Sequence, residues 1–88
     1  MQVTEMEKRF SYHAPTAEAL PRFTRLRAEF YRLALMVDAL APESREQSLA
    51  FTALEEAMMW ANAAIARNWE YLPPAEIFER RFGEKLAA

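Results

Sequence analysis

The sequence predicts an all-α protein: an antiparallel helical hairpin with an N-terminal arm and a short C-terminal helix, assembling as a homo-oligomeric helical bundle. Three observations carry this. Seventeen of the 88 residues are Ala and one is Gly, and Ala loses no side-chain entropy in a helix, where Gly costs about 1 kcal/mol. Two long stretches place apolar residues at alternating steps of three and four, the spacing of a helix face. With no Cys in 88 residues, disulfides cannot support a monomer that removes only roughly 60–65% of its chain surface from water, which leaves partner subunits as the route to stability.

The elements follow in order. Residues 1–15 read as an irregular arm, since Phe10-Ser-Tyr-His-Ala-Pro15 mixes aromatics with a proline that drives Ala14 towards extended geometry. Thr16 offers a helix N-cap, and from there to Ala41 apolar residues fall at Phe23, Leu26, Phe30, Leu33, Val37 and Leu40. Pro21 either occupies the first position of a later start or bends this helix at Ala17. Pro42 ends it. Ser44-Arg-Glu-Gln47 is a capping box in which Ser44 accepts from the Gln47 N–H while the Gln47 side chain reaches back. The second long helix runs from there to about Asn68, with a seam at Phe51, Leu54, Met58, Ala61 and Ile65. A connection of a few residues makes the two helices antiparallel. The chain thus divides into an arm (1–15), a helical hairpin domain (16–68) and a C-terminal segment (69–88). In that last segment Trp69 to Pro74 forms a strap, and Ala75 to Phe82 a short helix stopped by Gly83.

The second long helix carries more apolar surface than one partner can cover. Between Leu49 and Ala66, fourteen of eighteen residues are hydrophobic. Ala50, Ala57 and Ala64 line one flank of the seam, with Ala53 and Trp60 on the next row, a lining of small side chains that permits close helix approach. Either the short C-terminal helix fills the gap to complete a three-helix core, or a homo-oligomer buries this helix on both faces at its centre. The oligomer is favoured, because the C-terminal helix offers mainly Ile77, Phe78 and Phe82.

Composition narrows the function. A formal charge of −2 argues against coating duplex nucleic acid, which needs uncompensated Lys and Arg along one face. Nine of the eleven basic residues are Arg, the side chain that grips phosphate bidentately and stacks on flat rings. No signal peptide is read, and no charge-free apolar run reaches about 18 residues, so a soluble cytosolic protein with no membrane partner is expected. His13 is the single histidine, and with carboxylates alone it makes a poor zinc site. No catalytic residue, metal or cofactor is expected: a nucleophile needs a nearby base, Ser44 is better explained as a cap, and one Gly cannot build a phosphate loop. Glu55 and Glu56 point apart on a helix and read as a solvated face.

A recognition site is easier to find. The start of the first long helix lies beside the end of the second, which brings Phe10, Tyr12 and His13 towards Arg67, Asn68 and Trp69, with Arg22, Arg25 and Arg27 further along the same end. Flat rings for bases, guanidinium forks for phosphates and Asn amides for base edges are what a small nucleotide requires. The candidate ligand residues are therefore Tyr12, His13, Arg25, Arg27, Asn62, Arg67 and Asn68. Each has a plainer role open to it. Phe10 and Tyr12 can staple the arm to the hairpin, Arg25 can pair with Glu29, Arg67 can complement the helix dipole, and Asn62 can set register in an oligomer seam.

Phe10-Ser-Tyr-His-Ala-Pro15, the Arg25-Leu-Arg27 pair, Pro42 to Ala50, and above all Leu54-Glu-Glu-Ala-Met-Met-Trp-Ala-Asn-Ala-Ala-Ile-Ala-Arg-Asn68 resemble the small phage-encoded helical hairpin domain of the anti-CBASS and anti-Thoeris nucleotide sponges. The resemblance spans roughly residues 8–68. It implies a phage immune-evasion protein of the host cytoplasm that holds cyclic di- or trinucleotide messengers, or cyclic ADP-ribose signals, without cleaving them. It also implies a compact oligomer, a homohexamer by the family's example, with pockets where protomers meet. By the same resemblance Tyr12 stacks on a base of a cyclic dinucleotide and Arg27 pairs with its phosphates, while Arg67, with Asn62 or Asn68, belongs to a second pocket suited to cyclic trinucleotides. The alternative is an oligomeric helical interaction module with no nucleotide ligand.

Overall fold

The computed structural model describes residues 1–86 and is built, among those residues, of α-helices alone: α1 (Val3–Phe10), α2 (Leu20–Leu40), α3 (Arg45–Arg67) and α4 (Ala75–Phe82), with a 3-10 turn over Trp69–Tyr71. The last two positions of the predicted 69–88 segment lie outside the described residues. The frame is the antiparallel α2–α3 hairpin, as the paired seams require.

The N-terminal arm is not irregular throughout. Val3 to Phe10 is a helix, supported by a Glu5 to Arg9 ion pair of 3.2 Å one turn apart, with Glu5 in its first turn and Lys8 and Arg9 in its last, the order the helix dipole favours. Between α1 and the turn over residues 17–19, the chain from Ser11 to Thr16 has no regular structure, so the proline signal governs the connection and not the whole arm.

Nor does Thr16 cap α2. Its hydroxyl accepts from the Ala19 N–H at 3.2 Å, closing a turn over residues 17–19, and the helix starts at Leu20 with Pro21 in its first turn. There the missing proline N–H costs nothing, which decides for the later start. The α2 seam also differs from its expected positions. Among the apolar positions along the seam, Phe23, Leu26, Phe30, Ala34, Val37 and Ala41 are half-buried, while Leu33 and Leu40 are exposed. Alternating steps of three and four average 3.5 and drift off a straight helix, whose 3.6-residue turn selects Ala34 and Ala41 instead. The α3 seam of Phe51, Leu54, Met58, Ala61 and Ile65 is half-buried throughout, as its spacing predicts.

At the hairpin turn, Ser44 accepts from the Gln47 N–H at 3.1 Å, but the reciprocal half of the capping box is absent. Gln47 Nε2 instead donates to the Ala41 carbonyl at 3.0 Å. This satisfies a carbonyl left free at the end of α2, and Gln47, 8% exposed, is the one buried polar side chain among the described residues.

The C-terminal segment matches its reading more closely: α4 ends at Gly83, whose φ of 67° only glycine adopts without strain. It does not, however, complete a three-helix core. It meets α2 through Arg25, whose guanidinium lies 5.0 Å from the centre of the Phe78 ring and pairs with Glu84. The second face of α3 stays open, with Ala57, Ala64, Met59 and Trp60 exposed. A folded monomer of this mass exposes about 5,300 Å², whereas the protomer exposes 7172 Å². Its radius of gyration is 15.8 Å, against about 12 Å for a compact chain of this length.

Candidate functional site

The C-terminal end of α3 and the C-terminal turn of α1 form a concavity bordered by three cations, Lys8, Arg9 and Arg67, and one carboxylate, Glu5. Lys8 Nζ donates to Asn68 Oδ1 at 2.7 Å, the Asn68 amide nitrogen donates to the Ala64 carbonyl at 2.9 Å, and Arg67 Nη2 donates to the Arg9 carbonyl at 3.4 Å. These bonds hold α1 across the end of α3. Between the two helices lies a cleft of about 570 Å³, open to solvent, to which Glu5, Lys8, Arg9, Arg67 and Asn68 contribute polar groups and Phe10 and Trp60 flat rings, with Glu5 paired to Arg9. Trp60 is 63% exposed and its Nε1 donates to Glu56 Oε1 at 3.5 Å.

His13 Nε2 lies 2.7 Å from the Lys8 carbonyl, so the segment leaving α1 folds back on that helix and carries Tyr12 outward. Tyr12 is 86% exposed. The structure thus brings Arg67 and Asn68 together with Lys8, places His13 behind them as a tether, and leaves the Tyr12 ring accessible.

Arg27 lies elsewhere. It borders a second, smaller groove of about 280 Å³ between α2 and α3, in company with Tyr31, Phe51, Leu54 and Glu55. Of these two clefts Tyr12 borders neither and Arg27 only the second. Arg25 is engaged within the chain: its Nε lies 3.2 Å from Glu29 Oε1, it pairs with Glu84, and it covers the Phe78 ring. Asn62 is half-buried on α3 and its Oδ1 has no hydrogen-bond partner. Lys8, Arg9 and Trp60 were not read from the sequence as ligand residues. The signal that finds the first two is the Glu5 to Arg9 spacing together with Val3, Met6 and Phe10, which mark α1 as a helix and set its polar side against α3.

The model of the Acb2/Tad1 hairpin domain matches residues 2–66. The chain belongs to this family. The match covers α1, α2 and nearly all of α3, and leaves the 3-10 turn and α4 outside it. No curated protein and no solved structure matches the chain. The Acb2/Tad1 family is that of the anti-CBASS and anti-Thoeris sponges, which bind and do not catalyse, and membership suggests a role in sequestering cyclic nucleotides against host defence. Among the described residues, no cluster of His, Asp and Glu is arranged to hold a metal ion, and no helix is long and apolar enough to cross a membrane.

Proposed function

We propose that this hairpin domain binds cyclic oligonucleotide second messengers, cyclic dinucleotides first and cyclic trinucleotides or cyclic ADP-ribose signals beside them, and holds them uncleaved in the host cytoplasm as a phage-encoded defence inhibitor. The observation that carries the reading is the α1–α3 cleft, where Lys8, Arg9 and Arg67 converge beside the open Trp60 and Phe10 rings. Cations answer the phosphates and rings answer the bases. No nucleophile and base are paired there, so bound nucleotide is stored intact. In this reading Tyr12 stacks on a base, Arg27 pairs with phosphate, and Arg67 with Asn68 serves a second pocket. Asn62, with its unsatisfied carbonyl, finds its partner in a ligand or a neighbouring protomer.

Tyr12 is exposed and is not among the residues bordering the groove of Arg27, which favours a dinucleotide pocket shared between copies. The exposed second face of α3 supports self-association, as a hexamer by the family's example. Calorimetry of the purified protein against cyclic di- and trinucleotides and cyclic ADP-ribose isomers tests this, with light scattering for mass. Binding with intact nucleotide recovered after heat release, weakened at least tenfold by Tyr12→Ala or Arg27→Ala, is expected. Chemically altered nucleotide on release makes the protein an enzyme instead. The second reading, an interaction module docking a host protein on the Met59 and Trp60 face, is favoured by the exposure of both side chains. A monomer indifferent to every nucleotide supports it.

A further inference from the structure

We infer that the groove between α2 and α3 holds one base of the ligand, and that Glu55 selects bases presenting an amino group. This rests on the nucleotide-binding reading and extends it to the residue that discriminates among bases. The groove measures about 280 Å³, at the lower bound of the about 300–1,000 Å³ that drug-sized ligands fill, so it suits a single heterocycle better than a whole cyclic dinucleotide. Its floor is apolar, from Phe30, Phe51, Leu54 and Met58. Two charged side chains border it, Arg27 from α2 and Glu55 from α3, and both are exposed. No ion pair joins them. An apolar cleft with a few converging polar groups is how small-ligand pockets are built.

The polar groups divide the work. Tyr31 lies one turn beyond Arg27 and is 67% exposed, so its ring is free to stack on an inserted base. Stacking tolerates every base. A guanidinium on phosphate carries no base information either. Choice falls to Glu55, whose ionised carboxylate only accepts hydrogen bonds. Adenine, cytosine and guanine offer it amino N–H groups, and guanine adds a ring N–H beside its amino group. The uracil edge flanks its single N–H with two carbonyl oxygens, and one of these meets the carboxylate as acceptor against acceptor.

The test is a titration of the full chain with cyclic di-AMP, cyclic di-GMP and cyclic di-UMP. The purine ligands bind about tenfold or more tighter than the uridine one, the scale of one hydrogen bond to a charged group. Glu55→Gln erases that ratio, because an amide donates as well as accepts, and Glu55→Asp preserves its sign. Tyr31→Ala weakens all three ligands alike, and Tyr31→Phe does not. A ratio between ligands on one protein is insensitive to general losses of folding or association. Equal affinity for the three ligands, or a ratio unchanged in Glu55→Gln, overturns the inference and leaves nucleotide binding standing. Failure of all three to bind, and of cyclic trinucleotides with them, overturns both.

Discussion

Lys8 Nζ donates to Asn68 Oδ1 at 2.7 Å, a bond that closes a loop of sixty residues and fixes α1 across the C-terminal end of α3. The same Asn68 donates through its amide nitrogen to the Ala64 carbonyl, one turn back in α3. One side chain therefore ends a helix and receives another.

If this bond holds α1 in place, Lys8→Met frees it. The apolar residues of α1 are exposed, Phe10 most of all, so little burial remains to retain the helix, and isolated helices of this length are unstable in water. Hydrogen exchange at α1 amides rises to near-solvent rates, while the thermal midpoint of the hairpin moves by less than about 3 °C, since the loss is local. Protected α1 amides in Lys8→Met show that other contacts dock the helix.

At the opposite end, Gln47→Ala leaves the Ala41 carbonyl without its partner. The expected loss is about 1–3 kcal/mol, and Ser44→Ala costs about 1 kcal/mol by removing the N-cap. Urea denaturation at constant protein concentration, with an unchanged slope, measures both. Ser44 receives the Gln47 backbone N–H, which Gln47→Ala keeps, while the Gln47 side chain serves the Ala41 carbonyl, so the double variant loses about the sum of the two. A loss well below the sum contradicts the independence of the two bonds.

The α4 attachment depends on one guanidinium. Arg25→Lys keeps the charge but loses the planar fork that meets Glu84 while covering Phe78. Trypsin then cleaves after Arg80 and Arg81 several times faster than in the native protein, and 1 M salt narrows the difference by screening the ion pair. The cation–π contact is worth about 1 kcal/mol, enough for that change. An unaltered cleavage rate places the attachment in the strap and not in Arg25.

The open face of α3 predicts concentration-dependent stability. Ala57→Glu sets a carboxylate on the exposed face of α3, the face through which self-association is proposed. The native protein scatters light as a multiple of 10.2 kDa, and the variant as a monomer with a thermal midpoint lowered by about 10 °C. A native monomer at high micromolar concentration refutes self-association through this face.

The course of the chain was legible where a residue acts through its own backbone. Pro42, Ser44 and Gly83 end or start helices by removing a donor, accepting one, or adopting a positive φ, and each does so within a turn of itself. The α1 helix was missed because the conspicuous proline at position 15 stands five residues beyond its end, while the Glu5 to Arg9 pair that supports it is a weaker signal. The site was less legible. The sequence suggested that Arg25, Arg27 and Tyr12 share one end of the hairpin. In the folded chain Glu84, outside the matched domain, claims Arg25, and Arg27 turns to a separate groove.

What the sequence by itself determined is the alternation of helix and turn, the antiparallel hairpin and the apolar surplus of α3, all of which depend on local propensity and periodicity. Membership of a binding family came from the resemblance of its residues to that family, matched over residues 2–66. Only the tertiary structure decided which cations converge. Lys8 and Arg9 join Arg67 because a hydrogen bond spans sixty residues, and Gln47 turns from its own helix to the Ala41 carbonyl because that acceptor is left free by α2. The Lys8 to Asn68 bond joins residues sixty apart, which no window of sequence contains, while the choice of Gln47 between Ser44 and Ala41 lies within seven residues and is settled by the geometry of the hairpin turn.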